Sequence, residues 1–81
     1  MDQSEIRAKI LDIISIYAKN KDAVVSATDE TNILQDLKVN SARLVDVILD
    51  LEDAFDIEVD DEDADNVNTI GDAISLITAK I

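Results

Sequence analysis

An all-α fold, with three main helices and one short helix, is predicted from three features of the sequence. Apolar residues recur at helical spacing in three segments, and the 81 residues include no proline and a single glycine. The alternation typical of a strand is confined to residues 57–60, too short a run to outweigh the helical pattern around it. We expect residues 1–81 to form one domain with an aliphatic core, because only Tyr17 and Phe55 are aromatic.

The first predicted helix runs from about Ser4 to Lys19, with Asp2 or Ser4 as its N-cap. Its apolar residues share one face: Ile6, Ile10, Ile13, Ile14 and Tyr17. A long polar loop is predicted for residues 22–40, with one helical turn near residues 32–36. The apolar anchors of this loop are Val24, Val25, Ile33, Leu34 and Leu37.

A second main helix is predicted from Ser41 to Phe55, and a short third helix from about Asp61 to Asn66. The core stripe of the second main helix is predicted to be Leu44, Ile48, Leu51 and Phe55. The last helix spans about Ile70 to Lys80, and Thr69 with Asp72 has the spacing of a capping box. Its predicted inner face is Ile70, Ala73, Ile74, Ile77 and Ile81.

Nineteen acidic residues against seven basic ones give the chain a formal charge of −12. Because such a charge repels nucleic acid and anionic membranes, we expect neither as a partner and favour a basic patch on another protein. The alternative is an acidic surface that only keeps a small protein soluble. The acidic N-terminus does not resemble a signal peptide and no apolar run is long enough to span a membrane, so a cytoplasmic location is expected.

The sequence contains neither histidine nor cysteine, which removes the usual chemistry of a small active site. A nucleophilic hydroxyl would lack its histidine base, and structural metal sites would lack their usual ligands. An EF-hand that begins at Asp56 fails because Asp61 takes the glycine position and Val67 the position of the closing glutamate. We therefore expect no enzymatic activity and no metal site.

The second main helix is predicted to carry an outward-facing apolar strip next to Ser41. At about 100° per residue, Ala42, Val45 and Leu49 fall outside the core stripe. The acidic residues that border this strip are Asp46, Asp50, Glu52 and Asp53. An apolar strip inside a charged rim is typical of a transient protein-binding surface, whereas the alternative is that the long loop or another helix buries it. Ser41 is either an exposed side chain or the N-cap, a role that Asn40 can also fill.

Three blocks of the sequence resemble the acyl carrier protein family. Residues 36–42, DLKVNSA, line up with that family's Asp-Leu-Gly-x-Asp-Ser-Leu signature. Residues 51–59, LEDAFDIEV, with 61–64, DEDA, resemble the block that follows it, and residues 67–74, VNTIGDAI, resemble the family's final block. The resemblance extends over essentially the whole chain and implies an acyl-carrier-like four-helix bundle, with a long first loop and a short third helix.

The resemblance implies that a phosphopantetheinyl transferase attaches 4′-phosphopantetheine from coenzyme A to Ser41. The thiol of that group would then carry an acyl intermediate of fatty-acid, lipid or related biosynthesis, and the protein would be a monomeric carrier rather than an enzyme. The positions that match the acyl space of the family are Ile33, Leu51, Phe55, Val59 and Val67. Helical geometry and family pattern together give the surface that meets basic patches on acyl-transferring or condensing enzymes: Ala42, Val45, Asp46, Leu49, Asp50, Glu52 and Asp53.

Four departures from the family signature surround Ser41. Lys38 stands where the family has glycine, Asn40 where it has aspartate, and Ala42 where it has leucine. Arg43 stands where fatty-acid carriers commonly have an acid, and it can pair either with a phosphate on Ser41 or with a nearby aspartate. These changes motivate the hypothesis of a specialised carrier that serves a dedicated pathway. The alternatives are an unmodified acidic interaction module on the same fold, or a carrier for aminoacyl or polyketide units.

Overall fold

A computed structural model describes residues 2–81, and within them the chain forms five helices. They are α1 (Gln3–Tyr17), α2 (Lys21–Val25), α3 (Ser41–Phe55), α4 (Asp61–Asp65) and α5 (Ile70–Lys80). The predicted all-α class and its three main helices are confirmed. Over this part of the chain, β pairing is limited to one isolated bridge between Asn32 and Thr69. None of the helices described has the length and apolar character needed to cross a membrane.

The ends of the helices follow from local capping. Asp2 caps α1 by accepting the N–H of Glu5 at 2.9 Å. The capping box predicted at Thr69 and Asp72 is present at the start of α5. The turn predicted near residues 32–36 is closed by the N–H of Asp36, which donates to the carbonyl of Asn32 at 2.9 Å.

The helix α2 was not predicted, and it corrects the expected length of both α1 and the long loop. Asn20 directly follows the predicted end of the first helix, and its side chain accepts the N–H of Ala23 at 3.2 Å and caps α2. The first helix therefore ends at Tyr17, two residues before the predicted Lys19, and Ala18 turns into extended backbone. The short acidic helix α4 ends at Asp65, one residue earlier than predicted.

The core lies between α1, α3 and α5 and also takes side chains from the long loop. Its buried members, all aliphatic apart from Phe55, are Ile6, Ile10, Ile14, Ala18, Ile33, Leu37, Val39, Val47, Ile48, Leu51, Phe55, Val67, Ile70, Ala73 and Ile77. The core stripe predicted for α3 was wrong at one place, because Leu44 is only half-buried while Val47 is 1% exposed. Val47 lies one helical turn before Leu51 and so shares its inward direction. Ile81, predicted to face inward, is 53% exposed because it follows the last turn of α5.

The long loop, which in the structure comprises residues 26–40, is held to the start of α5 by backbone hydrogen bonds. The N–H groups of Ile70 and Gly71 donate to the carbonyls of Thr31 and Asp29 at 3.0 and 2.8 Å, and the N–H of Ile33 donates to Asn68 at 2.9 Å. Nearer to α3, the N–H groups of Lys19 and Asn20 donate to the carbonyls of Lys38 and Leu37 at 3.3 and 3.2 Å. Because both ends of the loop are held, the chain enters α3 along a defined path.

Candidate functional site

Ser41 is the first residue of α3, and its side chain is exposed. The N-cap is Asn40, whose side-chain oxygen accepts the N–H of Ala42 at 2.9 Å, while its carbonyl accepts the N–H of Arg43 at 2.8 Å. Of the two alternatives for Ser41, the N-cap role is therefore wrong. The hydroxyl is left at the tip of the helix, where a reagent from solvent can reach it.

The chain approaches Ser41 through a left-handed residue, Lys38, whose φ is 58°. This is the position where the acyl carrier signature has glycine, the residue that adopts such a conformation without steric cost. The backbone bend is thus kept while a lysine side chain is added to it. Val39, the next residue, is 3% exposed and anchors the segment in the core.

The outer face of α3 exposes the apolar side chains that helical spacing placed there. Val45 is 62% exposed and Leu49 is 54% exposed, and Ala42 is exposed beside them. The alternative that the loop or another helix buries this strip is wrong for the folded chain. Asp53 is exposed at the far end of the strip, whereas Asp46, Asp50 and Glu52 are half-buried along its edges.

Three of these four acids already have partners within the protein. Arg43 donates to Asp46 at 3.1 Å, and the hydroxyl of Tyr17 on α1 donates to Asp50 at 2.6 Å. The hydrogen bond to Asp50 is the main cause that raises the pKa of Tyr17 above its usual value. Glu52 accepts the N–H of Val59 at 3.2 Å and so links α3 to the segment that precedes α4. Arg43 therefore makes the internal pairing with an aspartate that the sequence offered as one of its two options.

A cavity of about 610 Å³ opens beside Ser41 between α3, α4 and the long loop. Its walls are mainly apolar and include four carboxylate or amide side chains. The full set of lining residues is Leu34, Ser41, Leu44, Val45, Ile48, Leu49, Glu52, Val59, Asp61, Ala64, Asp65, Val67 and Asn68. Of the five residues assigned to the acyl space, Val59 and Val67 line this cavity. Ile33, Leu51 and Phe55 do not line it but lie in the core, at 1%, 2% and 8% exposure. Phe55 instead borders a second cavity at the opposite end of α3, together with Ile6.

The sequence reasoning missed several residues that line the cavity beside Ser41. Leu44 and Ile48 were assigned to the core stripe, and Leu34 was taken only as a loop anchor, yet all three border the cavity. Ala64 on α4 was not assigned to the cavity. Its small side chain within an otherwise acidic helix was the signal available, since an apolar residue between acids marks the side that faces the protein.

Metal binding finds no support in the residues that the structure describes. Among residues 2–81, no group of three or more carboxylate side chains is arranged to hold a metal ion. The salt bridge of the acidic α4 segment joins Asp63 to Lys80 at 3.1 Å, and it raises the pKa of Lys80.

Known proteins match this chain in both sequence and fold. The family model that describes the phosphopantetheine attachment site matches residues 5–77. An acyl carrier protein of Lactobacillus acidophilus is 41% identical over 78 residues, which span 95% of this chain and 94% of that protein. One from Prochlorococcus marinus is 38% identical over 80 residues, spanning 99% and 98% of the two chains. The solved structure of the acyl carrier protein from Enterococcus faecalis superposes with a TM-score of 0.82 at 33% identity, with both chains covered in full.

Proposed function

Since the chain belongs to the acyl carrier protein family, which carries acyl groups on phosphopantetheine and does not catalyse reactions, we propose that Ser41 is its attachment residue. The observation that carries this assignment is the exposed hydroxyl at the tip of α3, released from capping by Asn40. The 4′-phosphopantetheine group, when attached, supplies the thiol that holds the acyl group as a thioester.

The surroundings of Ser41 fit a phosphodiester. Ser41 opens a helix of fifteen residues, and the positive end of the helix dipole favours an anion at that point. No acidic side chain lies in the first turn of α3 to oppose it. The nearest charged side chain before Ser41 is that of Lys38, which is exposed.

The cavity beside Ser41 is proposed as the shelter for the acyl chain. Ser41 itself borders this cavity and eight of the lining residues are apolar, so apolar cargo leaves water as it enters. Val59 and Val67 line it as proposed from the sequence, and Leu44 and Ile48 join them. Ile33, Leu51 and Phe55 then serve as core residues rather than as its lining.

Members of this family are served by a phosphopantetheinyl transferase and by acyl-handling enzymes, and we place their docking surface on the outer face of α3. Exposed Val45 and Leu49 offer a small apolar contact, while the acids around them attract basic patches on those enzymes. A small contact with electrostatic attraction gives fast encounter and fast release, which a carrier with several partners needs. The protein is proposed to act as a monomeric, single carrier domain, and the departures around Ser41 support a dedicated pathway.

Intact-mass spectrometry tests the attachment directly. Incubation with coenzyme A and a broad-specificity phosphopantetheinyl transferase should add the mass of one phosphopantetheinyl group. Ser41→Ala should abolish the gain, whereas Ser75→Ala, which removes another exposed hydroxyl, should retain it. A wild-type protein that stays unmodified but binds a basic partner in a salt-sensitive manner would instead identify an unmodified interaction module.

A further inference from the structure

The charges of α3 and of the three residues before it are divided along the chain. Residues 38–43 carry two basic side chains and no acid, whereas residues 44–53 carry four acids and no base. The first group surrounds Ser41, and the second begins one turn further along the helix. A partner that presents only positive charge would therefore meet repulsion at the serine end of this surface.

One internal ion pair offsets part of the charge in the acidic half, and hydrogen bonds hold two further acids in place. Asp46 is held by Arg43 at 3.1 Å, and Asp50 accepts the hydroxyl of Tyr17 at 2.6 Å. Of the four acids on this surface, Asp53 alone forms no hydrogen bond or ion pair with another residue in the range 2–81. The free negative charge on the docking surface thus lies towards the C-terminal half of α3, away from Ser41.

Lys38 and Arg43 occupy positions at which a basic side chain is unfavourable for local stability. Arg43 lies in the first turn of α3, where the positive end of the helix dipole opposes a cation. Lys38 occupies a left-handed backbone position that suits glycine. Local conflicts of this kind are expected at functional sites, and here both lie within three residues of Ser41.

Arg43 is available to an incoming partner despite its salt bridge. Its side chain is 63% exposed, and the pair with Asp46 is a surface interaction that contributes little, so exchange for another carboxylate costs little. Arg43 also lies about 200° around the helix from Ser41, which directs it away from a phosphate on that hydroxyl. Arg43 lies equally far around the helix from Val45, so a partner would meet it at the edge of the docking surface, beside Asp46, rather than on the apolar strip.

From this division we propose that the enzymes dedicated to this carrier present carboxylate groups opposite Lys38 and Arg43, and basic groups only opposite the far half of α3. The inference deepens the proposed function, because it rests on attachment at Ser41 and names the chemistry of the partner surface. Lys38 and Arg43 then act as specificity-determining residues that disfavour enzymes with a uniformly basic docking surface.

A charge-swap cycle tests the proposal. Two enzymes serve as probes. The first is a phosphopantetheinyl transferase with a basic docking surface. The second, the reversed enzyme, is the same transferase in which two basic residues that face the start of α3 are replaced by glutamate. For the wild-type carrier, the reversed enzyme should give the higher kcat/KM. For the double variant Lys38→Glu/Arg43→Glu the preference should invert, changing the ratio by on the order of tenfold at low salt and less at high salt.

A matched control places the same charge reversal elsewhere. Lys9 lies over the ring of Phe55, 5.6 Å from its centre, and Phe55 is about 18 Å along α3 from Arg43. Lys9→Glu should leave the ratio of the two enzymes within about twofold of the wild-type ratio. An equal ratio for the wild type and the double variant, or an equal shift from Lys9→Glu, would overturn the inference.

The broad-specificity transferase separates this inference from the proposed function. It should modify every variant to completion on prolonged incubation, and circular dichroism checks that each variant is folded. If it fails on the wild type and on the double variant alike, the attachment at Ser41 is wrong and the inference falls with it. If it modifies all variants while the charge-swap ratio stays flat, the attachment stands and only the partner chemistry is refuted.

Discussion

Two valines on α3 are expected to respond in opposite ways to the same substitution. Val47 is 1% exposed in the core, whereas Val45 is 62% exposed on the outer face. Truncation to alanine removes two methyl groups, about 0.8 kcal/mol each when buried, and leaves a cavity; we expect Val47→Ala to lower the free energy of unfolding by about 2 kcal/mol. Val45→Ala takes the same groups from a mostly solvated site and should cost about 0.5 kcal/mol or less.

Urea and thermal unfolding followed by circular dichroism measure this difference. For a domain of this size, Val47→Ala should lower the unfolding midpoint by about 10 °C, and Val45→Ala by no more than about 3 °C. The functional effects should be reversed, because Val45→Ala removes apolar docking surface and should reduce the kcat/KM of the transferase. Val47→Ala, assayed well below its midpoint, should retain it. Equal losses of stability in the two variants would refute the orientation of α3 described above.

Three further substitutions test backbone and charge. Lys38→Gly should hold or raise stability by up to about 1 kcal/mol, because glycine adopts the left-handed backbone without strain; a loss above 1 kcal/mol in urea unfolding would contradict this. Gly71→Ala should not give the ~1 kcal/mol gain usual in a helix, because its Cβ would lie 3.0 Å from the carbonyl oxygen of Asp29; a clear rise in the thermal midpoint would count against that contact. The N–H groups of Asn68 and Thr69 lower the pKa of Asp72, so its charge stabilises the folded state above its unfolded-state pKa and ceases to do so as pH falls through the lower folded-state value. The stability difference between the wild type and Asp72→Asn should therefore shrink on acidification below about pH 5, and a difference independent of pH would refute the assignment.

The helix that carries the site could be predicted from sequence at both ends, for reasons visible in the structure. Asn40 caps its start, and Asp56, with φ of 54°, ends it in the left-handed conformation that aspartate tolerates. The helix α2 could not be predicted in the same way. It has five residues and none of them is buried, so no apolar periodicity marks it. Its capping residue, Asn20, is equally suited to ending one helix and starting another.

The sequence predicted that a space for an acyl chain exists but did not identify all the residues that line it. The reason is that a sequence pattern does not distinguish a residue on a cavity wall from one packed behind it. Ile48 and Leu51 are both buried, and each fits the core stripe. Only the position of α4, set by the turn after Phe55 and by the bond from Val59 to Glu52, decides that Ile48 faces the open space. The position of the short acidic helix α4 relative to α3 leaves no periodic pattern in the sequence of α3.

The functions proposed for α3 follow from its rows of residues four apart, which advance by about 40° around the axis. The row Val47, Leu51 and Phe55 is buried in the core. The next row, Leu44, Ile48 and Glu52, lines the cavity. In the row after it, Val45 and Leu49 also border the cavity although more than half of each is exposed, and Asp53 is exposed at the far end. Leu44 is half-buried and borders the cavity, so a change of its side-chain volume is expected to alter the space for cargo. Cargo and partners therefore share Val45 and Leu49, so a substitution at either position is expected to alter both functions, whereas a substitution at Leu44 acts on the cargo space.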